Sequence, residues 1–358
     1  MLYCDDWERR RERHMALWEN EVIDRACISV KAPIGNWQPE SLPQDPKELE
    51  KYWTDGEWIL QRFLDECEHT YFAGDSYPSL RFNLGAAGHA GFFKGVGHEF
   101  RDTVWFFPNE ALLQDERLPE FDEEAFLYKK TLELADYLSS EAKGDFVVSM
   151  PDISGNIDAL AHIISSTRVL ELFYEDPEYI ERALDVIQQV YIETCRDCFD
   201  IFEKNRQKGN SIGWMYTYCE GKHMQMQSDL SVMVSPQMFD DFLKKELEEQ
   251  AAFLEYGVYH LDGQEQRRHL DSLLSIDGIR MIQWTSVAGQ PKPIAYLDSL
   301  KKIQSAGKGL LLMPSPEEVP ELIRNLSAKG LYLVVKASTP EEADAVVQCV
   351  EKESRLIR

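Results

Sequence analysis

Short apolar runs alternate with longer amphipathic segments from residue 78 onward, and this alternation restricts the fold more than any other feature of the chain. Strands that alternate with helices predict a parallel sheet. The candidate strands are Ser79–Leu84, Asp145–Met150, Ser211–Met215, Gly257–Leu261, Ile279–Trp284, Gly309–Met313 and Leu331–Val335, with Met224–Leu230 as a weaker eighth. This count predicts an α/β fold, and within that class it favours a closed (β/α)8 TIM barrel over a doubly wound sheet.

Residues at the predicted helix boundaries support the same alternation. Ser235-Pro236, Ser315-Pro316 and Thr339-Pro340 each place a capping hydroxyl directly before a proline at the first helical position. A glycine precedes four of the strands in the second half, where a helix commonly ends in a left-handed residue.

The first 77 residues have a different pattern. Segments 5–25 and about 47–70 have helical spacing, and a proline-containing loop over 32–46 joins them. We therefore expect an N-terminal helical extension over 1–77, packed on a barrel that spans 78–358. The segment 85–121 is too long for a simple strand-to-helix loop, so it predicts an insertion over the barrel mouth.

Charge and cysteine usage exclude several classes of protein. The chain has 38 basic and 63 acidic residues, a formal net charge of −25, which opposes binding to nucleic acid or to an anionic membrane. Seven irregularly spaced cysteines do not form a disulfide framework. No signal-peptide pattern is present, and no apolar run approaches the ~18 residues that span a bilayer. We expect a cytoplasmic protein, and the two N-terminal helices are a candidate interface for a homodimer.

The sharpest chemical feature is the strand end Tyr259-His260-Leu261-Asp262-Gly263. Alternate strand residues share a face, so His260 and Asp262 are expected to point the same way. Such a pair suits metal ligation, or acid–base catalysis by a histidine tuned by a carboxylate. A purely structural hydrogen-bonded pair is the alternative.

Other strand ends contribute further candidates, because the working residues of a parallel barrel come from the carboxyl ends of its strands. Asp152 follows the strand that ends at Met150, and it is a candidate catalytic or substrate-binding carboxylate, with a loop or capping role as the alternative. Polar and aromatic residues at the remaining strand ends predict a substrate-binding wall. They are Asn83, Trp214, Tyr216, Tyr218, Gln283 and Trp284.

Two stretches resemble a known family. The run from Ser228 to Phe242 (SDLSVMVSPQMFDDF), followed by the strand end 259–263, resembles the uroporphyrinogen decarboxylase (URO-D) superfamily. The segments Ile303–Gly309 and Pro316–Val319 also fit. The resemblance covers roughly residues 78–355 and implies a (β/α)8 barrel, in agreement with the strand count.

The superfamily contains cofactor-free decarboxylases and zinc-dependent methyltransferases that serve corrinoid proteins and thiols such as coenzyme M. The Arg-rich N-terminal motif of the decarboxylases is absent from this sequence, so the methyltransferases resemble it more closely. Their zinc site uses a His-x-Cys that matches positions 260–262, where this chain has His260 and Asp262. The later cysteine ligand has no counterpart near Met313–Ser315, so a further ligand must come from elsewhere, with Cys219 and Glu220 as candidates.

These features lead to three hypotheses. The first is a methyltransferase that moves a methyl group between a corrinoid protein or a small methylated compound and a thiol or amine acceptor, with zinc or another divalent metal at His260 and Asp262. The second is a metal-free decarboxylase or lyase that uses Asp152, His260 and Asp262. The third is a barrel that binds a small molecule without catalysis.

Overall fold

The structure is a computed structural model that describes residues 1–115 and 117–354. Its strands are β1 (Cys27–Pro33), β2 (Thr70–Gly74), β3 (Ser79–Leu80), β4 (Gly97–Phe100), β5 (Val104–Phe107), β6 (Val147–Val148), β7 (Asn210–Ile212), β8 (Thr217–Cys219), β9 (His223–Met226), β10 (Tyr256–Asp262), β11 (Ile279–Thr285), β12 (Gly309–Leu312) and β13 (Leu331–Lys336).

Helices separate most of these strands. They are α1 (Trp7–Trp18), α2 (Pro46–Thr54), α3 (Gly56–Glu68), α4 (Glu110–Asp115), α5 (Phe126–Ala142), α6 (Asn156–Ile164), α7 (Ser166–Glu175), α8 (Pro177–Lys204), α9 (Pro236–Met238), α10 (Lys244–Phe253), α11 (Leu270–Leu274), α12 (Leu297–Ser305), α13 (Val319–Asn325) and α14 (Pro340–Ser354). A π-helical stretch, Phe239–Leu243, joins α9 to α10. No helix within the described ranges is long and apolar enough to cross a membrane.

The largest sheet has seven strands in the order β2-β1-β13-β12-β11-β10-β9. Every neighbouring pair in it is parallel except β1 and β2, which are antiparallel. The short strands β3 and β6 pair in parallel, while β4 with β5 and β7 with β8 form antiparallel ribbons. The protein therefore has an α/β fold with a mixed, mostly parallel sheet, which confirms the predicted parallel alternation.

The pleat of the large sheet separates two apolar layers, since successive side chains point to opposite faces. In β10, Tyr259 and Leu261 are buried in the layer beneath the surrounding helices. Val258 points to the other face and packs in a second cluster with Met281 and Leu311 of the neighbouring strands. His260 and Asp262 therefore share the face of Val258, as the alternation predicted.

The seven predicted strands all overlap observed strands, and β9 overlaps the start of the weaker candidate run. Residues 1–77, expected to be a helical extension, also contain β1 and β2, which belong to the main sheet. β1 is the second strand from one edge of that sheet, where it is paired with β2 on one side and β13 on the other. The division of the chain at residue 77 stays a prediction. In the segment expected to be an insertion, the structure has the β4–β5 hairpin and α4.

A buried carboxylate attaches the N-terminal segment to the sheet. Asp75 is fully buried and accepts hydrogen bonds from Arg25 at 2.6 and 3.0 Å, from Arg13 at 3.1 Å and from the Ile28 backbone N–H at 2.9 Å. Burial opposes ionisation of this group, but the Arg25 charge and these hydrogen bonds outweigh it, so the pKa of Asp75 is lowered. The ionised carboxylate holds the segment around α1 and the start of β1 to the chain that follows β2.

Candidate functional site

His260 is oriented by a hydrogen bond from the neighbouring strand. It lies beside Gln283 in the parallel pairing of β10 with β11, and its Nδ1 donates to the Gln283 side-chain oxygen. The Gln283 amide nitrogen in turn donates to Thr285 Oγ1 at 2.8 Å, which fixes the amide orientation. Burial lowers the pKa of His260, so its imidazole is neutral near pH 7 and Nε2 keeps a lone pair.

Asp229 joins His260 and Asp262 in one group. One nitrogen or oxygen atom from each of the three side chains lies within 4.8 Å of the others, and His260 Nε2 is 3.9 Å from Asp262 Oδ1. Asp229 lies three residues after the end of β9. Our sequence reasoning gave this aspartate no role, although it belongs to the run that carries the family resemblance.

The backbone at Asp229 is held by a second carboxylate. Asp158 accepts hydrogen bonds from the backbone N–H groups of Asp229 at 2.9 Å and Leu230 at 2.7 Å. Gln227 donates to Asp229 Oδ2 at 3.3 Å, whereas the buried Oδ1 has no hydrogen-bond partner among the residues described. A buried oxygen without a partner is costly, so this atom is available to a ligand.

Four carboxylates crowd this end of the sheet. Burial raises the pKa of Asp229 to about 8, with further increases from the charges of Asp158, Asp262 and Asp152. Burial is also the main cause of the raised pKa of Asp158, and the Asp262 charge adds to it. Because like charges at close range disfavour ionisation, a bound cation or a shared proton would relieve the repulsion.

Asp152 lies at the edge of this group and is connected to it by amide side chains. Arg81 donates to Asp152 Oδ2 at 3.0 Å, and the Gln225 amide donates to Asp152 Oδ1 at 2.7 Å. Gln225 also donates to the side-chain oxygen of Gln227 at 3.0 Å. Burial raises the pKa of Asp152 despite the Arg81 charge. Asp152, which the sequence predicted as a site residue, lies close enough to His260 for their charges to interact. The sequence did not predict Arg81, Gln225 or Gln227 as site residues.

A cavity of about 1120 Å³ lies near the group and is connected to it through Trp214 and Arg81, whereas His260 and the aspartates themselves do not line it. Trp214 lines it and also contacts His260 edge-on, with ring centroids 5.0 Å apart. The Trp214 indole N–H donates to Gln225 at 2.6 Å, which fixes the ring between the cavity and the carboxylates. Asn83 and Tyr216 line the same cavity, so the structure brings three of the predicted wall residues together.

Two other wall residues lie elsewhere. Trp284 is adjacent to Gln283 in β11 and therefore points to the opposite face, where it is buried against Tyr296 beneath the helices. Tyr218 packs against Trp7 and Tyr77 with its ring buried. Both residues were predicted to line the substrate-binding wall because they lie near strand ends, but their side chains belong to the apolar core.

The additional ligands considered from the sequence are not part of the group either. Cys219 is buried in the cluster with Val258 and Met281, and its thiol contacts the Gly221 carbonyl oxygen at 3.7 Å. Burial raises the pKa of this thiol well above its usual value, which opposes the thiolate form that binds metals. Glu220 forms an ion pair with Arg11 at 3.0 Å.

Comparisons with known proteins add no family to these observations. The chain matches no protein-family model and no curated protein. Its chemistry must therefore be inferred from the side chains. A neutral imidazole and two carboxylates are a donor set that divalent transition metals accept. An aspartic acid with a pKa of about 8 is also a proton donor near neutral pH.

Proposed function

We propose that this chain is a methyltransferase of the URO-D-like type, which transfers a methyl group between a corrinoid protein or a small methylated compound and a thiol or amine acceptor. In this proposal a divalent metal, zinc or a similar ion, is held by Asp229, His260 and Asp262. The observation that carries it is the convergence of three donor atoms within 4.8 Å beside a large cavity.

The three side chains fit such a metal on several grounds. Bonds from zinc to imidazole nitrogen or carboxylate oxygen are about 2.0–2.2 Å long, so the observed separations approach those of ligands that share one ion. The buried Asp229 Oδ1 has no other partner within the described part of the chain. Gln283 accepts from His260 Nδ1, and an acceptor on the second ring nitrogen is what orients a metal-binding histidine. The donor set is harder than one with thiolates and therefore also suits manganese or iron.

A bound metal of this kind lowers the pKa of a thiol or amine acceptor and makes it nucleophilic at neutral pH. The protein's own residues would then supply position and proton transfer. Trp214 would orient an apolar reactant against the His260 edge, and Asp152, whose pKa is raised, would accept the acceptor's proton. Arg81 would stabilise the Asp152 carboxylate before that transfer.

We also infer that the sheet closes into a (β/α)8 barrel. The Ser149 N–H donates to the Leu80 carbonyl at 2.8 Å, which joins the end of β6 to β3. The Met150 N–H donates to the Ser211 carbonyl at 2.9 Å, which joins the end of β6 to β7. The apolar cluster on the His260 face draws residues from β1, β7, β8 and β10–β13. Contact among such widely spaced strands is expected when one face of a sheet is enclosed.

The test combines metal analysis with an activity assay. After expression with added zinc, we expect about one equivalent of transition metal per chain, measured by elemental mass spectrometry. The variants Asp229→Asn and His260→Ala should both lose the metal. Asp240→Asn removes an exposed acid from the same run, Ser228 to Phe242, and should retain the metal. Methylcobalamin with a thiol should show metal-dependent loss of the cobalt–methyl absorption. A metal-free protein would contradict the metal site, and a metal-loaded protein without methyl transfer to thiols or amines would contradict the reaction.

A second function is favoured by the burial of Asp229 beside three other carboxylates, which raises its pKa to about 8. In a metal-free decarboxylase, a protonated Asp229 would deliver a proton to the carbon that loses carbon dioxide, with His260 and Asp262 stabilising charge. Turnover of a carboxylated substrate that survives strong chelation and is lost in Asp229→Asn would favour this reaction over methyl transfer.

A further inference from the structure

Four basic side chains line the large cavity, although the chain as a whole is strongly acidic. Lys31, Arg62, Arg81 and Lys336 all line it. Of these, Arg81 is paired with Asp152. Within the described ranges, the other three have no carboxylate oxygen within 4.0 Å of their charged nitrogens. Three acids also line it, Glu40, Asp65 and Glu66, of which Glu40 and Asp65 accept hydrogen bonds from indole N–H groups at 3.0 and 2.7 Å.

Lys31 and Lys336 are direct neighbours at the carboxyl ends of two parallel strands. They are paired residue to residue in the register of β1 with β13. Like charges placed opposite each other on adjacent strands destabilise a sheet. The Lys31 ammonium lies 4.0 Å from the Tyr216 ring centroid, and burial lowers its pKa although the Glu66 charge opposes this. The energetic cost of this lysine pair would be offset by an anion bound between the two ammonium groups.

Aromatic side chains are also prominent in the lining. Six half-buried rings face the cavity: Trp37, Tyr52, Trp53, Trp58, Trp214 and Tyr216. Arg62 stacks on Tyr52 with its guanidinium carbon 3.3 Å from the ring centroid, and its buried Nε has no partner among the described residues. Partly exposed rings bind flat apolar compounds by stacking.

We propose that this cavity binds a planar aromatic carboxylate, with the carboxylate between Lys31 and Lys336 and the ring stacked among the tryptophans. The far end of such a compound would lie against Trp214, which contacts His260. The placement of a reacting group at that end rests on the proposed function. Recognition of the carboxylate does not, because it depends only on the residues of the cavity.

Isothermal titration calorimetry with 2-naphthoate tests the proposal, and 2-naphthamide provides a neutral compound of the same shape. We expect the wild-type protein to bind 2-naphthoate at least about tenfold more tightly than the amide, which is the scale of one charge-assisted contact. The double variant Lys31→Met/Lys336→Met should lose that preference. Lys329→Met removes an exposed lysine just before the amino end of β13 and should retain it.

Equal affinity for the two compounds, or no binding of 2-naphthoate, would overturn the proposal. So would a folded double variant that binds like the wild type. If the double variant does not fold, the comparison of the two compounds on the wild-type protein decides the question. His260→Ala should still bind 2-naphthoate. A wild-type protein that binds 2-naphthoate but holds no metal, or transfers no methyl group, would contradict the proposed function and leave the carboxylate site standing.

Discussion

Glu246 offers a stability prediction that depends only on the fold. This residue of α10 is 5% exposed, and its side chain faces α6. One carboxylate oxygen accepts from the Asn156 amide at 3.1 Å, and the other has no partner within the described part of the chain. Burial raises the pKa of Glu246 from 4.5 to about 8, and the nearby Asp158 charge adds to this. The side chain is therefore protonated in the folded protein at neutral pH.

The sign of the pH effect follows from linkage. A group whose folded pKa exceeds its unfolded pKa binds protons more tightly when folded, so its contribution to stability is lost as pH rises from about 4.5 to about 8. One pKa unit corresponds to about 1.4 kcal/mol, which sets an upper limit of about 5 kcal/mol. Relaxation around a buried charge reduces such penalties, and we expect about 2 kcal/mol.

Glu246→Gln replaces the protonated acid with a neutral side chain of nearly the same shape. In urea unfolding followed by tryptophan fluorescence, we expect the variant to match the wild type near pH 5 and to exceed its stability by about 2 kcal/mol near pH 8.5. Glu248→Gln, an exposed site on the same helix, should follow the wild type at both values. A difference between Glu246→Gln and wild type that does not change with pH would refute the reasoning.

Two other predictions concern the sheet and the site. Asp75→Asn leaves Arg25 buried without its carboxylate, so it should reduce the free energy of unfolding by about 3–5 kcal/mol in chemical denaturation, and a loss below about 1 kcal/mol would contradict the role of Asp75 in attaching the N-terminal segment. Gln283→Leu removes the acceptor that orients His260, so it should weaken zinc binding by about 10–100-fold in a chelator competition assay, while Gln304→Leu on α12 should not. Unchanged zinc affinity in Gln283→Leu would show that His260 needs no such partner.

The sequence predicted the strand framework because its signals are local. Capping pairs such as Ser315-Pro316 mark helix starts, and the observed capping box at Ser315 and Glu318 confirms that start. The shared face of His260 and Asp262 follows from strand alternation alone. These features need no knowledge of distant contacts.

The missed features depend on tertiary contacts. β1 lies between stretches with helical spacing, and its place in the sheet is decided by pairing with β13 across some three hundred residues of chain. Asp229 reaches the site because Asp158 holds its backbone, a contact that no spacing in the sequence reveals. Trp284 was taken for a wall residue because its strand was predicted, but the face to which it points was not worked out from its neighbour Gln283.

The central claim is that Asp229, His260 and Asp262 together bind one divalent metal. Crystals of the zinc-supplemented protein, with diffraction data collected on both sides of the zinc absorption edge, test it most directly. We predict a single strong anomalous peak at bonding distance, about 2.0–2.2 Å, from His260 Nε2 and from one oxygen of each aspartate. Density at this position without an anomalous signal, or zinc bound only at other residues, would contradict the claim.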